Sequence, residues 1–162
     1  MSRLDSFIRR LEAQRILLNW AVEKIAGHSG LVLELGLGNG RTYDHLREKL
    51  PGRSIYAFDR AVNANPRSIP PEEYLVLGDF AETLPAFARR HPSGAALIHS
   101  DAGLGDPEAN ARQVRMISES LPPLAASGAL VLSDQRLDHP VLQQQPLPPS
   151  ISADRYFIYS RA

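Results

Sequence analysis

Five short apolar runs, set apart by stretches with helical spacing, constrain the fold of this chain more than any other feature. They are LVLEL (31–35), SIYAF (54–58), YLVL (74–77), AALIH (95–99) and ALVL (129–132). Each is nearly continuous in apolar character, the pattern of a strand covered on both faces. Between them lie helix-like stretches at 41–50, 81–90 and 108–121. Pro51-Gly52, His91-Pro92 and Pro122-Pro123 close these stretches, because proline and glycine interrupt helical hydrogen bonding. Strand alternating with helix predicts βαβ units with right-handed crossovers. The expected class is therefore α/β, a doubly wound, mostly parallel sheet with helices on both faces.

The ends of the chain add to this frame. Leu4, Phe7, Ile8, Leu11, Leu18, Ala21, Val22 and Ile25 recur at three- and four-residue steps, so residues 1–27 read as one amphipathic helix. Ser2 and Asp5 fit its cap, and Gly27 and Gly30 stop it. It precedes the sheet and is expected to pack across the rim as a lid, with Trp20 in the core; Arg9, Arg10 and Arg15 read first as a solvated face and second as contacts for a ligand carboxylate or an acidic acceptor. Residues 31–134 form the central unit, and 135–162 a proline-rich connection and a closing strand. The segment 137–150 carries Pro140, Pro146, Pro148 and Pro149 and is expected to be a loop. RYFIYS (155–160) has the aromatic and β-branched content of a strand. A second closing strand is either missing, which would shorten the C-terminal end of the sheet, or hidden in 141–147.

Composition narrows the function. A chain of 162 residues, 43% of them hydrophobic and 22% charged, suits one domain, 1–162, with a real core. Eighteen Lys and Arg against 18 Asp and Glu give no net charge. That argues against nucleic-acid binding and against a polybasic membrane contact. There is no cysteine, and the five histidines lack metal-type spacing. The charged start has no uninterrupted apolar core of an export signal, and no run is long enough to span a bilayer. A cytoplasmic location is the expectation.

Four of the five apolar runs end at an aspartate: Asp59, Asp79, Asp101 and Asp134. In a parallel sheet these carboxylates share one edge, where ligands of such folds bind. Asp is also a common helix cap. The first run instead ends in Glu34-Leu35-Gly36-Leu37-Gly38-Asn39-Gly40. Glycines there let a ligand approach the backbone, and the following helix offers free N–H groups. A dinucleotide fingerprint would need glycine at position 41, which is Arg41. A phosphate-binding P-loop would need Gly-Lys-Ser/Thr, where this chain has Gly40-Arg41-Thr42. The remaining pattern, E-x-G-x-G-x-G, fits at every fixed position.

With that loop, the acids and their order, the stretch from Leu31 to Asp134 resembles the class I S-adenosylmethionine-dependent methyltransferases. The resemblance implies a Rossmann-like fold and S-adenosyl-L-methionine as cofactor. It implies that Glu34, Leu35, Gly36, Gly38, Asn39 and Gly40 form the cradle under the methionine part. It implies that Asp59 binds the ribose hydroxyls, about 20 residues downstream of Gly40 as a ribose-binding acid requires. Arg60 would lie beside the adenine, Asp79 and Phe80 would receive its amino edge and ring, and Ser100 and Asp101 would lie near the sulfonium. An ionised Asp accepts but does not donate, which suits two vicinal hydroxyls.

The acceptor chemistry is less fully written. Asp101 and Asp134 are the catalytic candidates. The Asn/Asp-Pro-Pro-Tyr/Phe element of base-methylating relatives is absent from Ser100-Asp101-Ala102-Gly103-Leu104-Gly105. Metal-dependent O-methyltransferases hold a cation with acids comparable to Asp101 and Asp134-Gln135, with Asn usual at the last position; no metal is assigned here. Neither His99, expected in the core, nor His45 or His139 is assigned as a base. The reading is an enzyme that methylates a small molecule by in-line transfer, with a non-catalytic cofactor-binding protein as the alternative. With no separate substrate domain and an open sheet edge, a homo-oligomer is expected.

Overall fold

The computed structural model describes residues 1–162. Helix α1 (Arg3–Lys24) begins at a reciprocal cap, in which the Ser2 hydroxyl accepts from the Asp5 N–H and the Asp5 carboxylate accepts from the Ser2 N–H. Strand β1 (Leu31–Leu35) leads through the glycine loop to α2 (Arg41–Lys49) and β2 (Ile55–Asp59). Two 3₁₀ turns, Pro66–Ser68 and Glu72–Tyr74, connect to β3 (Leu75–Leu77). Helix α3 (Phe80–Arg90), β4 (Ala95–Ser100), α4 (Pro107–Ser120), β5 (Ala125–Ser133), β6 (Leu142–Gln145) and β7 (Phe157–Arg161) complete the chain.

The seven strands form one sheet in the order β3-β2-β1-β4-β5-β7-β6. The first five are parallel, and β7 runs antiparallel to both β5 and β6. Successive strand residues point to opposite faces, so each apolar run serves two layers. Val32, Ile55, Leu97, Leu132 and Ile158 pack against Leu17, Leu18, Ala21 and Leu46 of α1 and α2. Leu33, Phe58, Ile98 and Val131 pack against Leu84, Phe87, Ile117 and Leu121 on the α3–α4 side. No helix is long and apolar enough to cross a membrane.

The C-terminal end is not short of a strand. Residues 142–145 read as loop in sequence because three successive glutamines carry no strand signal. They extend because β7 pairs with them, Leu142 facing Arg161 and Gln145 facing Ile158. Strand β5 also starts four residues earlier than its apolar run, at Ala125 opposite Ala95, and Gly128 kinks it at φ +76°. The long apolar stripe of α1 divides in two. Ala13, Leu17, Leu18 and Ala21 are buried, while Leu4, Phe7 and Ile8 stay exposed where the helix overhangs the sheet edge. Trp20 is half-buried against the core.

Candidate functional site

The C-terminal ends of the parallel strands converge on the glycine loop. The Gly36 N–H donates to the Phe58 carbonyl at 2.9 Å, and the Asp101 N–H donates to the Leu35 carbonyl at 3.0 Å, so β2 and β4 clamp the loop from both sides. A β-carbon on Gly36 would sit 2.4 Å from the Asp101 carbonyl oxygen, and its φ is +92°. Glycine is therefore required there by packing within the chain itself. Gly38 differs: its φ is +51°, yet a β-carbon would meet nothing within 4 Å. The space above Gly38 is open, a cradle that a side chain would fill. Gly40 caps α2 with no side chain, which leaves the first N–H groups of that helix free for a ligand.

Asp59 closes one side of the cradle. Its Oδ2 accepts from the Gly38 N–H at 3.1 Å and its Oδ1 from the Arg60 N–H at 2.7 Å. Two backbone donors thus fix the carboxylate while the residue stays half-buried. Asp79 caps α3 through the Ala81 N–H, and its other oxygen accepts from the Arg60 guanidinium at 3.1 Å. Phe80 begins α3, buried, and lines the same hollow as Gly36, Gly38, Asp59 and Arg60, a space of about 210 Å³. A second hollow of about 270 Å³ lies on the far side of the loop, lined by Phe7, Arg10, Gln14, Arg41 and Thr42. The two share Gly36, Gly38 and Asp101 and form one bent cleft. A hollow of about 420 Å³ between the end of α1 and β5 holds none of the predicted residues.

Three predicted residues take other positions. Glu34 is fully buried, with Oε1 accepting from Thr42 at 2.5 Å and both oxygens 2.9 Å from His99 Nδ1. Its side chain therefore stiffens the loop from beneath and does not face the cleft. The reason is register: Glu34 on β1 lies opposite His99 on β4. Burial disfavours a charged His99, but the attraction and hydrogen bond of Glu34 outweigh it and raise the imidazole pKa. Leu35 is a core side chain and meets the cleft only through its backbone. Ser100 is buried in register between Leu35 and Ser133. Asn39 is exposed on the loop.

The other end of the cleft is a charged cluster. Asp101 Oδ1 accepts from Arg10 at 2.8 Å and Oδ2 from Gln14 Nε2 at 2.7 Å, both from α1. Asp134 Oδ2 accepts from the Gly103 N–H at 3.2 Å and from Gln135 Nε2 at 3.3 Å. Burial first, and then the negative charge of Asp101, raises the Asp134 pKa. Gln135 also accepts from Asn110. Asp101 already serves a guanidinium and an amide, and no trio of acidic or imidazole groups is assembled around the pair. His45 pairs with Asn19, and His139 holds a local turn.

Gln14 and Tyr156 are the residues that sequence reasoning missed. Gln14 had a readable signal, a polar residue within the buried stripe of α1. Tyr156 had none: it reaches the cluster from the loop before β7, and burial together with Asp101 holds its phenol well above its ordinary pKa.

A family profile described as S-adenosyl-L-methionine methyltransferase matches residues 1–161. The solved S-adenosyl-L-methionine methyl transferase of Silicibacter pomeroyi DSS-3 is 49% identical, with a TM-score of 0.93, over 100% of this chain and 99% of that one. The magnesium protoporphyrin IX methyltransferase of Synechocystis PCC 6803, solved with bound SAM, has a TM-score of 0.61 at 13% identity, over 96% and 81% of the two chains. The 1,6-didemethyltoxoflavin-N1-methyltransferase of Burkholderia thailandensis, solved with S-adenosylhomocysteine, has a TM-score of 0.59 at 12% identity, over 93% and 79%. No curated protein matches the sequence.

Proposed function

The chain belongs to the S-adenosyl-L-methionine methyltransferase family, and we propose that it methylates a small-molecule acceptor by in-line transfer at the bent cleft. The observation that carries the reading is Asp59 beside Gly38. A carboxylate already fixed by two backbone N–H donors lies next to a loop glycine with open space above it. That pairing suits a ligand with vicinal hydroxyls lying flat on the backbone.

When bound, S-adenosylmethionine supplies an activated methyl group on a sulfonium. The chain supplies position and electrostatics. Asp59 would hold the ribose hydroxyls, with Phe80 and Arg60 beside the base and Asp79 fixing Arg60. The free α2 N–H groups, Arg41 and Thr42 line the side that would take the amino-acid end. Asp101 places negative charge where the cleft bends, and Asp134 stands behind it as the candidate base. Placing two reactants in line recovers roughly 7–11 kcal/mol of the barrier, so few further groups are needed. Support for a small acceptor comes from the absence of net charge and from α1, whose Arg10 and Gln14 reach onto Asp101 at the cleft. The exposed edge strand β6 supports a homo-oligomer, since its unpaired backbone groups invite a neighbour.

Incubation with methyl-labelled cofactor and a cell extract, fractionated afterwards, tests the reading. Label is expected in the small-molecule fraction. Label confined to nucleic acid or protein overturns the substrate class, and tight cofactor binding with no transfer overturns the activity. A chirally labelled methyl group should arrive with inversion. Light scattering at micromolar concentration should give more than the monomer mass.

A further inference from the structure

One wall of the hollow of about 270 Å³ beside the glycine loop comes from α1, a helix outside the stretch that carries the loop and the strand-end acids. Of Arg9, Arg10 and Arg15, only Arg10 lines the cleft. Arg9 lines a separate hollow with Glu12 and Ser150. Arg10 Nη2 donates to Asp101 Oδ1 at 2.8 Å, and Asp101 lines the same hollow. Both partners are tied down. The Asp101 N–H donates to the Leu35 carbonyl, and its own carbonyl oxygen lies against Gly36. Gln14, one turn along α1 from Arg10, donates to Asp101 Oδ2 at 2.7 Å. A positive and a negative charge therefore stand side by side in the hollow that also holds Gly38. Their side chains are 49% and 19% exposed, and an ion pair that wet adds little to stability. Its charges remain open to a ligand.

We propose that Arg10 reads the carboxylate of the cofactor, and that the Arg10–Asp101 pair takes the zwitterionic amino-acid end of S-adenosylmethionine, carboxylate on Arg10 and ammonium on Asp101. This rests on the methyltransferase reading above and adds α1 to the elements that bind the cofactor. A guanidinium has five N–H donors and no acceptor, and Asp101 engages Nη2. Even with the Tyr156 phenol beside it, Arg10 has donors left for a carboxylate. A carboxylate only accepts, so Gln14 turns its N–H toward Asp101 and keeps its carbonyl oxygen as a further acceptor for an ammonium.

The ligand class follows from the charges. An amino acid carries its ammonium and carboxylate on one carbon, so it meets the pair with signs crossed and leaves no charge unmatched. A simple acid would satisfy Arg10 but set its charge against Asp101. The path also fits, because this hollow shares Gly36, Gly38 and Asp101 with the one that holds Asp59 and Phe80. A ligand with its ribose on Asp59 crosses Gly38 to reach Arg10. Arg41 lines the same hollow but is exposed, and ordering an exposed side chain costs affinity that Arg10, held by Asp101, does not lose.

Four adenosyl ligands test this by calorimetry with the full chain. S-Adenosylhomocysteine carries both charges, its decarboxylated analogue only the ammonium, its deaminated analogue only the carboxylate, and methylthioadenosine neither. Arg10→Gln should weaken S-adenosylhomocysteine and the deaminated analogue by about ten- to a hundredfold, the range of a hydrogen bond to a charged group. It should not weaken the decarboxylated analogue or methylthioadenosine. Arg10→Lys should restore part of the loss, and Arg41→Gln should not reproduce the pattern. Asp101→Asn should weaken the decarboxylated analogue and spare methylthioadenosine. Melting curves should show each variant folded. The proposal is overturned if Arg10→Gln weakens all four ligands alike, weakens none, or only raises the KM of a methyl acceptor, and equally if Arg41→Gln carries the selectivity. If neither S-adenosylhomocysteine nor methylthioadenosine binds the wild-type chain, the methyltransferase reading itself fails.

Discussion

On the β1–β2 side of the cleft, backbone groups and close sequence neighbours hold the rim. On the β4–β5 side, side chains from opposite ends of the chain hold it. Gly38 N–H, Arg60 N–H and Ala81 N–H fix Asp59 and Asp79 within short stretches after their strands. Asp101, by contrast, is held by Arg10 and Gln14, 91 and 87 positions away. Tyr156 joins from the opposite terminus. The first side is a mould made from turn and cap geometry. The second is an electrostatic cluster assembled from distant parts of the chain. Glu34 and His99 lie beneath the junction, bonded across β1 and β4.

The junction is where the largest effect should lie. Glu34→Ala strands His99 and frees Thr42, and breaking a buried pair this way costs about 3–5 kcal/mol, measurable by urea unfolding. Because the His99 pKa is raised in the folded state, the pair's contribution is fully present below the ordinary imidazole value near 6.5 and is lost as pH rises through the raised value. The difference in melting temperature between wild type and His99→Gln should therefore narrow as pH rises above 6.5. A difference that widens would mean the pair is not charged.

Within the mould, the two loop glycines should separate. Gly36→Ala drives a methyl into the Asp101 carbonyl and should cost about 1–3 kcal/mol for overpacking, beyond its backbone strain. Gly38→Ala should lose only the roughly 1–2 kcal/mol of a left-handed residue in stability, yet should bind cofactor poorly because it fills the cradle. Melting curves read alongside calorimetry would show this split, and equal losses in both properties for both variants would erase it. Asp59→Ala should weaken cofactor binding by about 1–3 kcal/mol and leave the melting temperature nearly unchanged. Smallest of all, Asp79→Ala should cost about 1 kcal/mol as a lost cap. Arg60→Ala should cost less than about 1 kcal/mol, an effect that fades with salt because the Arg60–Asp79 pair is exposed.

The sheet, its parallel core and the glycine-loop side of the cleft were legible because their causes are local. Apolar runs make strands, glycine and proline stop helices, and Asp79 caps the helix it precedes. Glu34 was legible as part of a loop pattern but not as a buried partner of His99, since register between β1 and β4 is not written in either strand alone. Strand β6 was illegible because LQQQ extends only when β7 is there to pair with it.

What the sequence by itself determined was the layered α/β frame and the edge where the glycine loop and the strand-end acids gather, because strand period, turn chemistry and capping act over a few residues. Only the tertiary structure decided that Arg10 and Gln14 share Asp101, that Glu34 faces inward, and that Tyr156 is buried beside Arg10 from the far end of the chain. Those outcomes depend on which side chains the folded backbone brings together and which it seals from water, and pairing at that range leaves no periodic trace along the chain.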